Sequence, residues 1–159
     1  MRTRSKIASM PWMTPGATLD LAVFPIDSIL KQALSPEFDQ FRSGCILLGS
    51  MAGGSRPEAG VYLVGLLRYY ASDLQRLEVV AEQLAHFRDD SSAHALLAEL
   101  RRVKSSNTTR RYLGRVLRSL ARFPSRLVKP ALEDLANDTS FSAKMRAKFR
   151  DVLESTQRG

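Results

Sequence analysis

Four arginines, Arg111, Arg115, Arg118 and Arg122, follow one another at spacings of 4, 3 and 4. At about 100° per residue a helix would hold them within a strip roughly 60° wide. A row of guanidinium groups can grip phosphates or carboxylates in a bidentate way. The predicted helix that carries them has no Asp or Glu to act as an i, i+4 partner, and like charges on one strip repel by a few tenths of a kcal/mol per pair. The stripe therefore calls for an acidic counterpart: phosphates, an acidic protein surface, or the chain's own Glu133 and Asp134. The competing reading is a solvated helix face, the commonest use of charged side chains.

No other side chains assemble into a reactive constellation. His86 and His94 fall on separate predicted helices with no cysteine pair nearby, so no metal site is expected. Cys45 sits among Ile46, Leu47 and Leu48, where a thiol serves as a small hydrophobe. Phosphate-loop and dinucleotide fingerprints are missing. We therefore expect no catalytic residue, no cofactor and no enzymatic activity.

The arginines belong to a repeating pattern. Leu77, Val80, Leu84 and Phe87 recur 36 positions later as Leu113, Val116, Leu120 and Phe123. A period of roughly 20 to 50 residues signals stacked supersecondary units, each too small to bury its own apolar face. Within the first copy, Leu77, Val80, Ala81 and Leu84 follow the i, i+3, i+4, i+7 spacing of a helix face. Beyond the break Arg88-Asp89-Asp90, the residues Ala93, Leu96, Leu97 and Leu100 do the same. In the second copy Leu113, Val116, Leu117 and Leu120 precede a break at Pro124-Ser125, and Val128, Ala131, Leu132 and Leu135 follow it. Matching Leu97 and Leu100 to Leu132 and Leu135 gives a spacing of 35 for these second helices. Leu113, Val116, Leu117 and Leu120 lie opposite the arginines, which must then point away from the core.

Weaker copies extend both ways. Phe149, Val152 and Leu153 continue the period into a last helix over 140–154, and Phe41, Leu48 and Met51 place an earlier pair over 36–52 and 57–71. Pro25 starts a short capping helix with Ile29, Leu30, Ala33 and Leu34 on one face. Ser35-Pro36-Glu37, Ser55-x-x-Glu58, Ser72-x-x-Gln75 and Asn107 or Thr108 are start signals, while Pro130 predicts an irregular start or a kink. Gly44, Gly49, Gly60, Gly65 and Gly114 fall inside predicted helices, where each suggests close helix contact. The fold class is all-α, with about three helix pairs plus capping helices in a single domain over 25–159.

Residues 1–24 lack helical period and read as a flexible or loosely packed tail, with Trp12 and Phe24 as anchors. The longest apolar run, Val61 to Leu67, is far short of the roughly 20 residues a membrane helix needs. A single cysteine fits a reducing compartment, and we expect a cytoplasmic protein. The net charge of +8 is unevenly placed: residues 101–159 carry 15 Lys and Arg against 5 Asp and Glu, whereas residues 1–100 carry 9 against 11. In a linear stack this becomes a lengthwise gradient of positive charge.

The run Ala131-Leu132-Glu133-Asp134-Leu135-Ala136-Asn137-Asp138, followed by Met145-Arg146, resembles the HEAT-repeat family of helical solenoids over residues 36–154. Arg110, 36 residues before Arg146, looks like the same arginine of an earlier copy, while Arg102 stands where that copy would carry the aspartate. The resemblance implies a short right-handed α-α superhelix in which Arg110, Asp138 and Arg146 help join neighbouring units. It also implies a scaffold that binds partners along its surface without catalysis.

Two functions fit these features. One is a non-enzymatic adaptor that binds a protein partner, with an acidic surface, through one face of the stack. The other is nucleic-acid binding, with the basic C-terminal half neutralising backbone phosphates and no base readout in view.

Overall fold

The computed structural model describes residues 19–157; Trp12 and most of the tail read from the sequence lie outside them. The described residues form eight helices: α1 (Ile26–Ala33), α2 (Phe38–Gly53), α3 (Pro57–Tyr69), α4 (Leu74–Leu84), α5 (Asp90–Arg102), α6 (Arg110–Leu120), α7 (Ser125–Asn137) and α8 (Ala143–Gln157). No helix among these residues is long and apolar enough to cross a membrane.

The helices arrange themselves in the order that the repeat requires. Helices α2, α4, α6 and α8 touch one another in sequence on one side, and α3, α5 and α7 do so on the other. The closest pairing differs from the sequence reading. Helix α5 approaches α6 more closely than α4, and α7 packs on α8 rather than on α6. In the last two units the tight pair thus joins a second helix to the first helix that follows it, with α8 completing the last pair, whereas α3 still packs more extensively on α2, its own unit's first helix, than on α4.

Equivalent apolar residues occupy equivalent places. Leu84 and Leu120 are both 0% exposed, and Leu77, Leu113 and Phe149 are buried at successive positions of one core that runs from Ile29 to Leu153. The second helices keep the spacing of 35 in their ends, since α5 and α7 both begin and end 35 residues apart, but their buried faces align at 36. Helix α5 buries Ser92, Leu96, Glu99 and Leu100, while α7 buries Val128, Leu132, Leu135 and Ala136, and Leu97 is only half-buried. The buried faces shift by one residue against the helix ends because α5 places a serine and a glutamate at interior positions.

Helix starts also differ in detail. Asp73 caps α4 by accepting the Arg76 N–H, in place of Ser72. No side chain caps α3, and Glu58 pairs with Arg56 instead of closing a box with Ser55. Arg88, in left-handed backbone at φ 51°, turns the chain so that Asp89 and Ser92 form a capping box on α5. Helix α7 runs through Pro130, with its first turn tightened by Leu127 N–H to Pro124 carbonyl at 3.0 Å.

Side chains lock the units together. Arg76 stacks over Phe41 at 4.7 Å, donates to the Ser35 and Pro36 carbonyls, and pairs with Asp73. Ser119 on α6 donates to the Ala81 carbonyl of α4 at 2.8 Å inside the core. A Cβ at Gly44 would lie 2.5 Å from the Ala33 backbone nitrogen, and at Gly49 and Gly60 it would strike Gln83 and Phe87. Gly65 and Gly114 break the expectation: nothing lies within 4 Å of either added Cβ.

Candidate functional site

Helix α6 is amphipathic because its apolar residues recur on one side, and the structure turns Arg111, Arg115 and Arg118 away from the interior, with Arg122 exposed in the turn just past the helix end. The row is divided in two. Arg111 Nε lies 3.3 Å from Glu78 Oε2, and Arg115 Nη1 lies 3.7 Å from Glu82 Oε1. Both glutamates stand on α4, the equivalent helix of the preceding unit, so stacking supplies a counter-charge from within the chain, though not from Glu133 and Asp134, the acidic neighbours that the sequence offered as one candidate. Glu133 instead lies 4.0 Å from Lys129 within α7. Arg115 is the most sheltered of the row, and its Nε is buried without a hydrogen-bond partner.

Arg118 and Arg122 remain exposed. Arg118 Nε reaches the Gly114 carbonyl at 3.5 Å, and among the described residues neither arginine meets a carboxylate. A groove of about 490 Å³ lies along Arg111, Gly114 and Arg118 and ends at Asn107 and Arg110.

Asn107 and Arg110 also belong to a second hollow that the sequence reading missed. This cleft of about 160 Å³ is lined by Ser105, Ser106, Asn107 and Arg110 on one wall and by Ser142, Lys144, Met145 and Lys148 on the other. The walls are the α5–α6 connection and the first turns of α8. The connection is held by its own hydroxyls: Thr109 Oγ1 donates to the Lys104 carbonyl at 2.6 Å and accepts the Ser106 N–H at 2.9 Å. Arg110 Nη2 donates to Asn107 Oδ1 at 2.9 Å. No carboxylate lines the groove or the cleft. Lys144 and Lys148, one turn apart, were the only sequence signal for the far wall; their meeting with Arg110 depends on tertiary packing.

Asp138 accepts from Arg101 Nη1 at 3.3 Å, which ties the end of α7 to α5, and from the Ser140 hydroxyl at 2.6 Å. The Ser140 bonds, and then Arg101, hold the Asp138 carboxyl below the usual carboxylate range. Arg110 binds Asn107, and Arg146 Nε is buried without a partner.

On the second-helix side, His94 borders one cavity between α3 and α5 and another between α5 and α7. Glu99 lines the first, but both of its oxygens are engaged. Arg102 binds Oε1 at 2.8 Å and Oε2 at 2.7 Å, and Tyr112 donates to Oε2 at 2.6 Å. Among the described residues no group of His, Cys, Asp and Glu is placed to hold a metal ion. Cys45 is buried, and burial pushes its thiol up to about 12.

The chain matches no family model, no curated protein and no solved structure.

Proposed function

We propose that this protein is a non-enzymatic, cytoplasmic scaffold of HEAT-like type, a short right-handed superhelix that binds a protein partner with an acidic surface. One observation carries the reading: Arg118, Arg122, Arg110, Lys144 and Lys148 lie at the C-terminal half of the stack, and none meets a carboxylate among the described residues. Such a field accelerates encounter with an acidic surface and favours partners of complementary charge.

The test is affinity capture with the full chain beside its Arg118→Glu/Arg122→Glu variant, after nuclease treatment. The scaffold reading expects a discrete protein partner that survives nuclease and is lost from the variant.

The carboxylate-free lane from Arg118 to Lys148 favours a second reading, nucleic-acid binding through backbone phosphates. Binding of a labelled duplex would then weaken with a log–log salt slope of about 0.9 per phosphate contact. A flat slope, or no binding, leaves the protein partner.

A further inference from the structure

We propose that the cleft between the α5–α6 connection and the start of α8 receives a single phosphoryl group carried on a side chain of the protein partner. An apolar neighbour of that side chain would sit in the adjoining groove. The inference rests on the scaffold reading and names the chemistry of its partner.

The cleft brings donors together from two separate segments. The Asn107 side-chain oxygen Oδ1 accepts one N–H of Arg110 and fixes the guanidinium plane, which leaves further N–H groups of the fork to bind an oxyanion. Lys144 and Lys148 project from one face of α8 at i, i+4. Ser142 Oγ accepts the Met145 N–H at 3.2 Å, so its hydroxyl proton is free to donate outward. Three cations share the space with no carboxylate among the lining residues. A phosphoryl group, with a charge of about −1.5 to −2 at neutral pH and three acceptor oxygens, offsets that concentration better than a single carboxylate.

Size and surroundings select a phosphorylated protein over a nucleic-acid strand. At about 160 Å³ the cleft is smaller than the roughly 300 Å³ at which pockets for whole organic ligands begin. Beside it opens a groove of about 540 Å³ whose apolar residues are Leu100, Val103, Phe141 and Met145. Ser105, Ser142 and Met145 border both hollows. A nucleic-acid backbone passing that way would set its next phosphate against these apolar side chains, and of the two cations there Arg101 is already paired with Asp138. A peptide can place a phosphorylated side chain in the cleft and an apolar one in the groove.

The probes are inorganic phosphate, phenyl phosphate, benzoate and a 15-nucleotide single strand, each titrated into the isotope-labelled full chain and followed by amide NMR shifts. Both phosphates are expected to shift Ser106, Asn107 and Lys144. Phenyl phosphate should bind about tenfold tighter than inorganic phosphate and also shift Val103 and Phe141, while benzoate does neither. Lys144→Gln/Lys148→Gln should weaken phenyl phosphate about tenfold with an unchanged melting temperature. Two results overturn the proposal: no response of the cleft to either phosphate, or oligonucleotide binding tighter than phenyl phosphate that depends on Arg118 and leaves Val103 and Phe141 unmoved. A silent cleft with partner capture intact would remove this inference alone, whereas loss of nuclease-resistant capture would remove the scaffold reading beneath it.

Discussion

The Tyr112 hydroxyl donates to Glu99 Oε2 at 2.6 Å, joining α6 to α5 inside the core. Glu99 is a buried carboxylate at the position where the next unit carries Leu135. It is tolerated because Arg102 neutralises it and Tyr112 occupies a remaining lone pair. Tyr112→Phe removes a hydrogen bond to a charged group and should cost about 1.5–3 kcal/mol in urea denaturation. The double change Tyr112→Phe/Glu99→Leu should recover most of that loss, since apolar replacement of a whole buried network is often neutral or better. A double variant less stable than Tyr112→Phe would show that the network is worth more than its apolar substitute.

Alkaline stability follows from two buried acids. Burial and the bond to Glu99 raise the Tyr112 hydroxyl above its ordinary range, and burial raises the Cys45 thiol to about 12. In the unfolded chain both release protons at lower pH than in the folded one, so the unfolded state binds fewer protons there. The contribution of these two groups should be level below pH ~8.5, then fall by up to about 1.4 kcal/mol per pH unit for each group as its unfolded form titrates. Cys45→Ala should delay the onset towards pH ~10; an unchanged onset would remove Cys45 from the explanation.

The helical glycines should separate into two classes. Gly65→Ala and Gly114→Ala meet open space and should each stabilise by roughly 0.5–1 kcal/mol. Gly44→Ala must push α1 away from α2 and should destabilise by about 1–3 kcal/mol. Thermal melts of the three variants test the division, and a stabilised Gly44→Ala chain would contradict the close approach.

Glu78 and Glu82 temper the arginine row and contribute little to folding. Their pairs with Arg111 and Arg115 are partly exposed, so Glu78→Gln/Glu82→Gln should change stability by under about 1 kcal/mol per pair. The variant should elute later from a cation-exchange column than a control with the two acids at the start of α2 removed, Glu37→Gln/Asp39→Asn. Equal elution of the two would show that position on the surface is immaterial.

These cases mark what the sequence reveals. Leu77, Leu113 and Phe149 announce the stack because a core position repeated every 36 residues must stay apolar in most copies. Ser92 and Glu99 concealed the register of α5 because their burial depends on partners, Asp89 for one and Arg102 with Tyr112 for the other. The arginine row was legible as a row, since helical spacing is local. Its pairing with Glu78 and Glu82, and the meeting of Arg110 with Lys144 and Lys148, depend on how neighbouring units stack, which periodicity leaves open.

The described helices make their main packing contacts with partners no more than two places away in chain order. During synthesis, when residues emerge at about 5–20 per second, each new helix would find its neighbours already outside the ribosome. Folding could keep pace with translation, with only the newest leucines left uncovered for chaperones to shield.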